Sequence, residues 1–172
     1  MCKSIFKLVI LVLLVSSCNN RTAKTNTIET SEIKITQVEE VLNAYMSAWA
    51  AHDVDKIGGF FAEDVKWYNL PVDDTMEGKA KVTKAITDTF MGNIPDMYWA
   101  RSGDVFITDS TIVYEWIYGG TFNGKWGDIN IENKNFSIKG MSTTTINKQG
   151  KITAQKDYYD FYSLQKALGI IQ

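Results

Sequence analysis

The segment Gly150–Gly169, GKITAQKDYYDFYSLQKALG, changes its period halfway along. Ile152 to Tyr159 is rich in β-branched and aromatic residues and reads as a strand. Phe161 to Leu168 reads as a short helix stopped by Gly169. Alternation counted from Ile152 puts Lys156, Tyr158 and Asp160 on one face and sends Asp157 to the other, facing solvent. Asp160 sits at the junction, where an aspartate is a common helix N-cap.

Upstream, Met97 to Ile107, Thr111 to Phe122 and Phe136 to Ile146 have the same strand-like composition. Turn signals at Asp109-Ser110, Asn123-Gly124 and Asn147-Lys148-Gln149-Gly150 separate them, so consecutive antiparallel strands are expected. Gly119-Gly120 reads as a bulge that bends its strand. Before Asp96 the period is helical. Thr36-Gln37-Val38-Glu39 has capping-box spacing, and Val38, Val41, Leu42, Tyr45 and Trp49 form one apolar stripe. Asp53 caps a second helix with Val54, Ile57, Phe60 and Phe61 on one face. A third runs from Gly78 to about Met91. Val65 and Trp67 suggest a short strand, and Pro71 to Glu77 reads as a loop. Three helices followed by a long, curved antiparallel sheet make an α+β fold with helices segregated to one face.

The chain has 172 residues, 45% hydrophobic and 22% charged, which excludes a disordered or multi-span membrane protein and favours one compact domain. Its 18 Lys+Arg against 20 Asp+Glu, with no basic block in the folded part, leave little for phosphate neutralisation, so no nucleic-acid partner is expected. One histidine and no mature cysteine pair supply no metal-ligand spacing, and no metal is expected. No phosphate-cradling glycine loop precedes a helix and no nucleophile elbow occurs, so neither nucleotide use nor serine hydrolysis is expected, and no cofactor is expected. His52 reads as a packing and capping residue between the first two helices.

Lys3 and Lys7 precede the apolar run Leu8 to Val15, which is too short to span a bilayer and reads as a signal-peptide core. Val15-Ser16-Ser17-Cys18 resembles the lipobox of bacterial lipoproteins, which implies a lipid on Cys18. Residues 1–17 are then a signal peptide, residues 18–34 the lipidated cysteine and a polar tether, and residues 35–172 the domain. The expected location is the cell envelope, anchored to a membrane and outside the cytoplasm.

Four segments carry a resemblance: Tyr45–Val65 (YMSAWAAHDVDKIGGFFAEDV), Gly78–Phe90, Trp116–Gly124 (WIYGGTFNG) and Gly150–Gly169. Their order and spacing, over about Thr36 to Gly169, resemble the SnoaL-like polyketide-cyclase branch of the nuclear transport factor 2-like superfamily. The resemblance implies a conical fold whose sheet wraps around helices and leaves a deep apolar pocket. Members include cyclases, isomerases, epoxide hydrolases and dehydratases as well as ligand-binding proteins, so the fold does not settle the function. It also implies that Asp160, after Gly150-Lys151-Ile152 and before the closing helix, is a general acid/base; the residues alone fit a helix cap as well. Where the family often has Gly-Thr-His with the histidine facing the pocket, this chain has Gly120-Thr121-Phe122. That departure favours binding over cyclase chemistry. Trp67, Tyr98, Trp116, Tyr118, Phe122, Trp126 and Tyr158 are candidate ligand contacts, although aromatics in such a fold are more often plain core. The expected function is binding of a small apolar or mixed-polarity molecule. The alternatives are a proton-transfer enzyme using Asp160 and a dimeric interaction module.

Overall fold

The computed structural model describes residues 35–172. The expected signal peptide, Cys18 and the expected tether lie outside the described residues. Helices α1 (Ile35–Ala50) and α2 (Val54–Phe60) form a hairpin. α1 turns its apolar stripe inward, with Val38, Leu42, Tyr45 and Trp49 all buried. It begins at Ile35, one residue ahead of the expected Thr36 cap, whose side chain is outside the described residues. α2 is capped by Asp53, whose side chain accepts a hydrogen bond from the Lys56 amide at 3.0 Å. Phe61 does not continue that helix. It opens strand β1 (Phe61–Asn69), where it is buried against Tyr45.

The turn Leu70–Val72 leads to β2 (Asp74–Glu77), where composition predicts a loop. β2 is a polar edge strand, which needs no apolar alternation because it pairs on one side only. Lys66 and Glu77 face each other across the pair, 3.0 Å apart. α3 (Lys79–Ala85) runs into a π-helical turn (Ile86–Met91), seen in the Gly92 amide donating to the Thr87 carbonyl five residues back. Strands β3 (Tyr98–Thr108), β4 (Thr111–Trp126), β5 (Ile129–Ile146) and β6 (Ile152–Tyr159) follow as an antiparallel meander, and α4 (Phe161–Ala167) closes the domain. The sheet order is β2-β1-β6-β5-β4-β3, with β1 parallel to β6.

Two turn assignments shift. The β4–β5 hairpin turns at Gly127-Asp128, and where the register passes from Phe122–Lys134 to Gly124–Ile131 the single Asn123 of β4 faces two residues of β5, Glu132 and Asn133, so the bulge is in β5. Gly119-Gly120 pairs in unbroken register with Ser137 and Phe136, so it is not the bulge. Gly119 is required by close approach, since a Cβ there would sit 2.6 Å from the Tyr98 hydroxyl and 2.5 Å from the Phe136 carbonyl oxygen.

Candidate active site

Between the inner face of the sheet and the helices lies a cavity of about 230 Å³. Rings form most of its wall. Trp67 stacks on Phe90 of the π-helical turn with centroids 5.7 Å apart, Tyr118 meets Phe136 edge-on at 5.4 Å, and Phe122 meets Trp126 at 6.1 Å. Val72, half exposed, stands at the rim, and Leu164 and Leu168 of α4 complete the wall.

Asp157 is the one acid of this wall, and the structure places it opposite to expectation. Ile146 pairs with Ile152 but Thr145 pairs with Ala154, so Thr153 is an extra residue in β6. A one-residue bulge exchanges the faces of everything beyond it. Gln155, Asp157 and Tyr159 therefore face inward, while Lys156 is exposed. Asp157 is buried, not solvated.

A chain of polar side chains converges on it. Asp157 Oδ1 accepts from Ser142 Oγ at 2.6 Å and Gln155 Nε2 at 2.8 Å, and Oδ2 accepts from Trp67 Nε1 at 2.5 Å. These donors are themselves oriented. Trp116 Nε1 donates to Ser142 Oγ at 2.7 Å, which leaves the serine proton for Asp157, and Thr144 donates to Gln155 Oε1, which fixes the amide orientation. Burial pushes the Asp157 pKa above the ordinary carboxylate range, and bonds from Ser142, Gln155 and Trp67 offset part of that rise. Oδ1 has two donors and Oδ2 one, so the free lone pair of the group is on Oδ2. The arrangement suits a carboxyl that exchanges a proton with a group placed at that free lone pair.

Asp160 occupies the other role open to it. It is exposed at the start of α4, where its Oδ1 accepts from the Ser163 amide at 3.0 Å and its Oδ2 from Ser163 Oγ at 2.6 Å. Those bonds hold its pKa below the usual range. It is a helix cap and does not reach the cavity.

Trp67, Trp116, Tyr118, Phe122 and Trp126 line the cavity. Tyr98 and Tyr158 do not. Tyr98 is 44% exposed and donates to Ser137 on the outer face, and Tyr158 stands across from the exposed Met141 on that same face. Their neighbours, the buried Trp99 and the partly buried Tyr159, take the inward positions. Phe122, in place of the family's histidine, adds an apolar ring to the wall. His52 lies away from it, its Nε2 2.7 Å from the Met97 carbonyl oxygen. Asp157, Asn69 and Tyr159 were missed by sequence reasoning. The signal for them was Lys156, because a lysine on the buried face of a strand is rare enough to identify that face as outer.

An open α+β sheet wrapped over helices, with a buried carboxyl in an aromatic cavity, defines a nuclear transport factor 2-like fold. The sequence profile of the SnoaL-like polyketide cyclase family matches residues 39–168, and the chain belongs to that family. Solved structures agree on the fold. A hypothetical protein from Catenulispora acidiphila with a ketosteroid isomerase-like fold, crystallised with trimethylamine, has a TM-score of 0.63 at 20% identity, over 76% of this chain and 92% of that one. A putative polyketide cyclase from Xanthomonas campestris has a TM-score of 0.64 at 18% identity, over 78% and 96%. A putative hydroxylase from Streptomyces galilaeus has a TM-score of 0.68 at 14% identity, over 81% and 100%. No curated protein matches the chain in sequence.

Proposed function

We propose that the protein binds a small, largely apolar molecule in this cavity and that Asp157 exchanges a proton with it. The observation behind this reading is the Asp157 carboxyl, buried in an aromatic wall, held by three donors and left with a free lone pair on Oδ2. Family membership supports a ligand-binding cone. A carboxylate there removes a proton from carbon next to a carbonyl, and the resulting carboxylic acid returns one to the enolate. Isomerisation, cyclisation and hydration all use such steps.

We also place the domain outside the cytoplasm, tethered through a lipid on Cys18. This rests on the lipobox-like Val15-Ser16-Ser17-Cys18 and the apolar run before it.

The chemical test is hydrogen exchange. 2-Tetralone, a two-ring ketone with acidic α-hydrogens, is incubated with the full chain in D₂O and its deuterium content followed by NMR. The intact protein is expected to speed exchange over buffer, and Asp157→Asn to remove roughly 100-fold or more of that acceleration. Equal exchange rates in protein and variant would contradict the assignment.

A further inference from the structure

Asp157 lacks the partner that a buried carboxylate most needs, an opposite charge. Ser142, Gln155 and Trp67 donate to it at 2.6, 2.8 and 2.5 Å, and all three are neutral. Such donors stabilise a negative charge without cancelling it, and a buried charge with no counter-charge beside it is strongly unfavourable. Among the described residues that line the cavity none is a lysine, arginine or histidine. Lys156, the neighbour of Asp157 in β6, is exposed on the opposite face of the strand. Asp157 nevertheless meets the cavity, which it lines with 8% of its surface still exposed.

The wall next to Asp157 is aromatic. Trp67, whose indole N–H is bonded to Oδ2, stacks on Phe90, and Tyr118 meets Phe90 edge-on with centroids 6.3 Å apart. All three rings line the cavity. The faces of aromatic rings carry partial negative charge and attract cations, most strongly where water is excluded. A carboxylate without a counter-ion, set among such rings, repels anions and favours a cation that has a hydrogen to donate. The rest of the wall is largely apolar, with Ile94, Ile138, Leu164 and Leu168. The volume of about 230 Å³ falls below the roughly 300–1,000 Å³ of pockets for drug-sized ligands, which limits the occupant to one or two rings.

We propose that the cavity takes a small apolar amine of one or two rings, held in its ammonium form, with the N–H donating to Asp157 Oδ2 and the carbons on nitrogen packed against Trp67 and Phe90. This rests on the cavity being a ligand site with Asp157 as its proton-exchanging group, and it adds the charge of a ligand. The proton balance closes by two routes. A free amine takes the proton of the Asp157 carboxylic acid onto its nitrogen lone pair, and an amine that is already protonated meets the carboxylate. Both end in the same carboxylate–ammonium pair. A bound amine occupies the lone pair on Oδ2 that a carbon acid needs, so amines and ketones compete for one place.

The test is a set of probes of nearly one shape, titrated into the full chain and read by the change in tryptophan fluorescence, since several tryptophans line the cavity. Isobutylbenzene has no polar group, 1-phenyl-2-propanol has a neutral donor, N,N-dimethylbenzylamine is a cation with one N–H, and phenylacetate is an anion. N,N-dimethylbenzylamine is expected to bind about tenfold or more tightly than isobutylbenzene, ahead of the alcohol, with phenylacetate weakest. Asp157→Asn keeps an oxygen but no charge, and it should bring the amine down to the hydrocarbon or below it. The ranking on the native protein stands without that variant. Equal affinity for amine and hydrocarbon, an alcohol that matches the amine, tightest binding of phenylacetate, or an amine advantage that survives Asp157→Asn would each overturn the proposal, with the cavity still a ligand site. Failure of every probe to bind would overturn the ligand-site reading and the proposal together.

Discussion

Asp157 and Asp160 are three residues apart and carry the same carboxyl, yet their surroundings drive their pKa values in opposite directions. Asp160 is exposed and bonded to Ser163, which favours its charged form. Asp157 is enclosed by rings, and burial favours its neutral form. The difference becomes a stability statement through linkage. A carboxyl whose folded pKa is raised holds its proton more tightly when folded, so its contribution is full below the unfolded value of about 4 and is lost as pH rises through the folded value. Urea unfolding of the native protein should therefore show stability declining across that window. Asp157→Asn, which cannot titrate, should flatten the decline while leaving the Trp67 indole N–H facing an amide donor. An unchanged slope in the variant would assign the pH dependence to another group. At this scale the sequence was legible for the aromatic wall and misleading for the acid, because alternation counted from Ile152 passes through the Thr153 bulge without seeing it.

At the scale of elements, legibility followed the strength of the periodic signal. α1, α4 and the meander from β3 to β6 have strong apolar patterns and fall close to their expected positions. β2 is polar and short, and the pairing that makes it a strand comes from β1 and not from its own residues. Bulges are also silent in composition. The one at Glu132-Asn133 of β5 lies opposite Asn123, where β4 runs on past an Asn-Gly that looks like a hairpin turn, and the one in β6 aims Asp157 inward. The network around Asp157 depends on β5 as well. The Trp116 ring lies over Gly140, where a Cβ would overlap the ring and come within 2.6 Å of the Tyr158 carbonyl oxygen. Gly140→Ala is expected to displace Trp116, break its bond to Ser142 and cost about 1–3 kcal/mol by overpacking. Denaturant unfolding measures the loss and near-ultraviolet circular dichroism the displaced indole; an unperturbed spectrum at native stability would refute the packing described.

For the molecule as a whole, the sequence made the fold readable from the order of its segments, and family membership confirms it over residues 39–168. The inward acid became visible only with the register of β6. Among the described residues no helix is long and apolar enough to cross a membrane. Membrane attachment in our proposal rests on Cys18. Cys18→Ala is expected to move the protein out of the membrane fraction or block its processing, as followed by cell fractionation and gel mobility. Attachment that survives the substitution would rule out the lipid tether. The cavity and its acid stand independently of that outcome. They are tested most directly by carbon-13 NMR titration of the aspartate side-chain carboxyls, with Asp157→Asn identifying the resonance. A midpoint for Asp157 clearly above the ordinary aspartate value of about 3.9 is the expected result. A midpoint at or below that value would mean the carboxyl is solvated, and proton transfer inside the cavity would have no group to perform it.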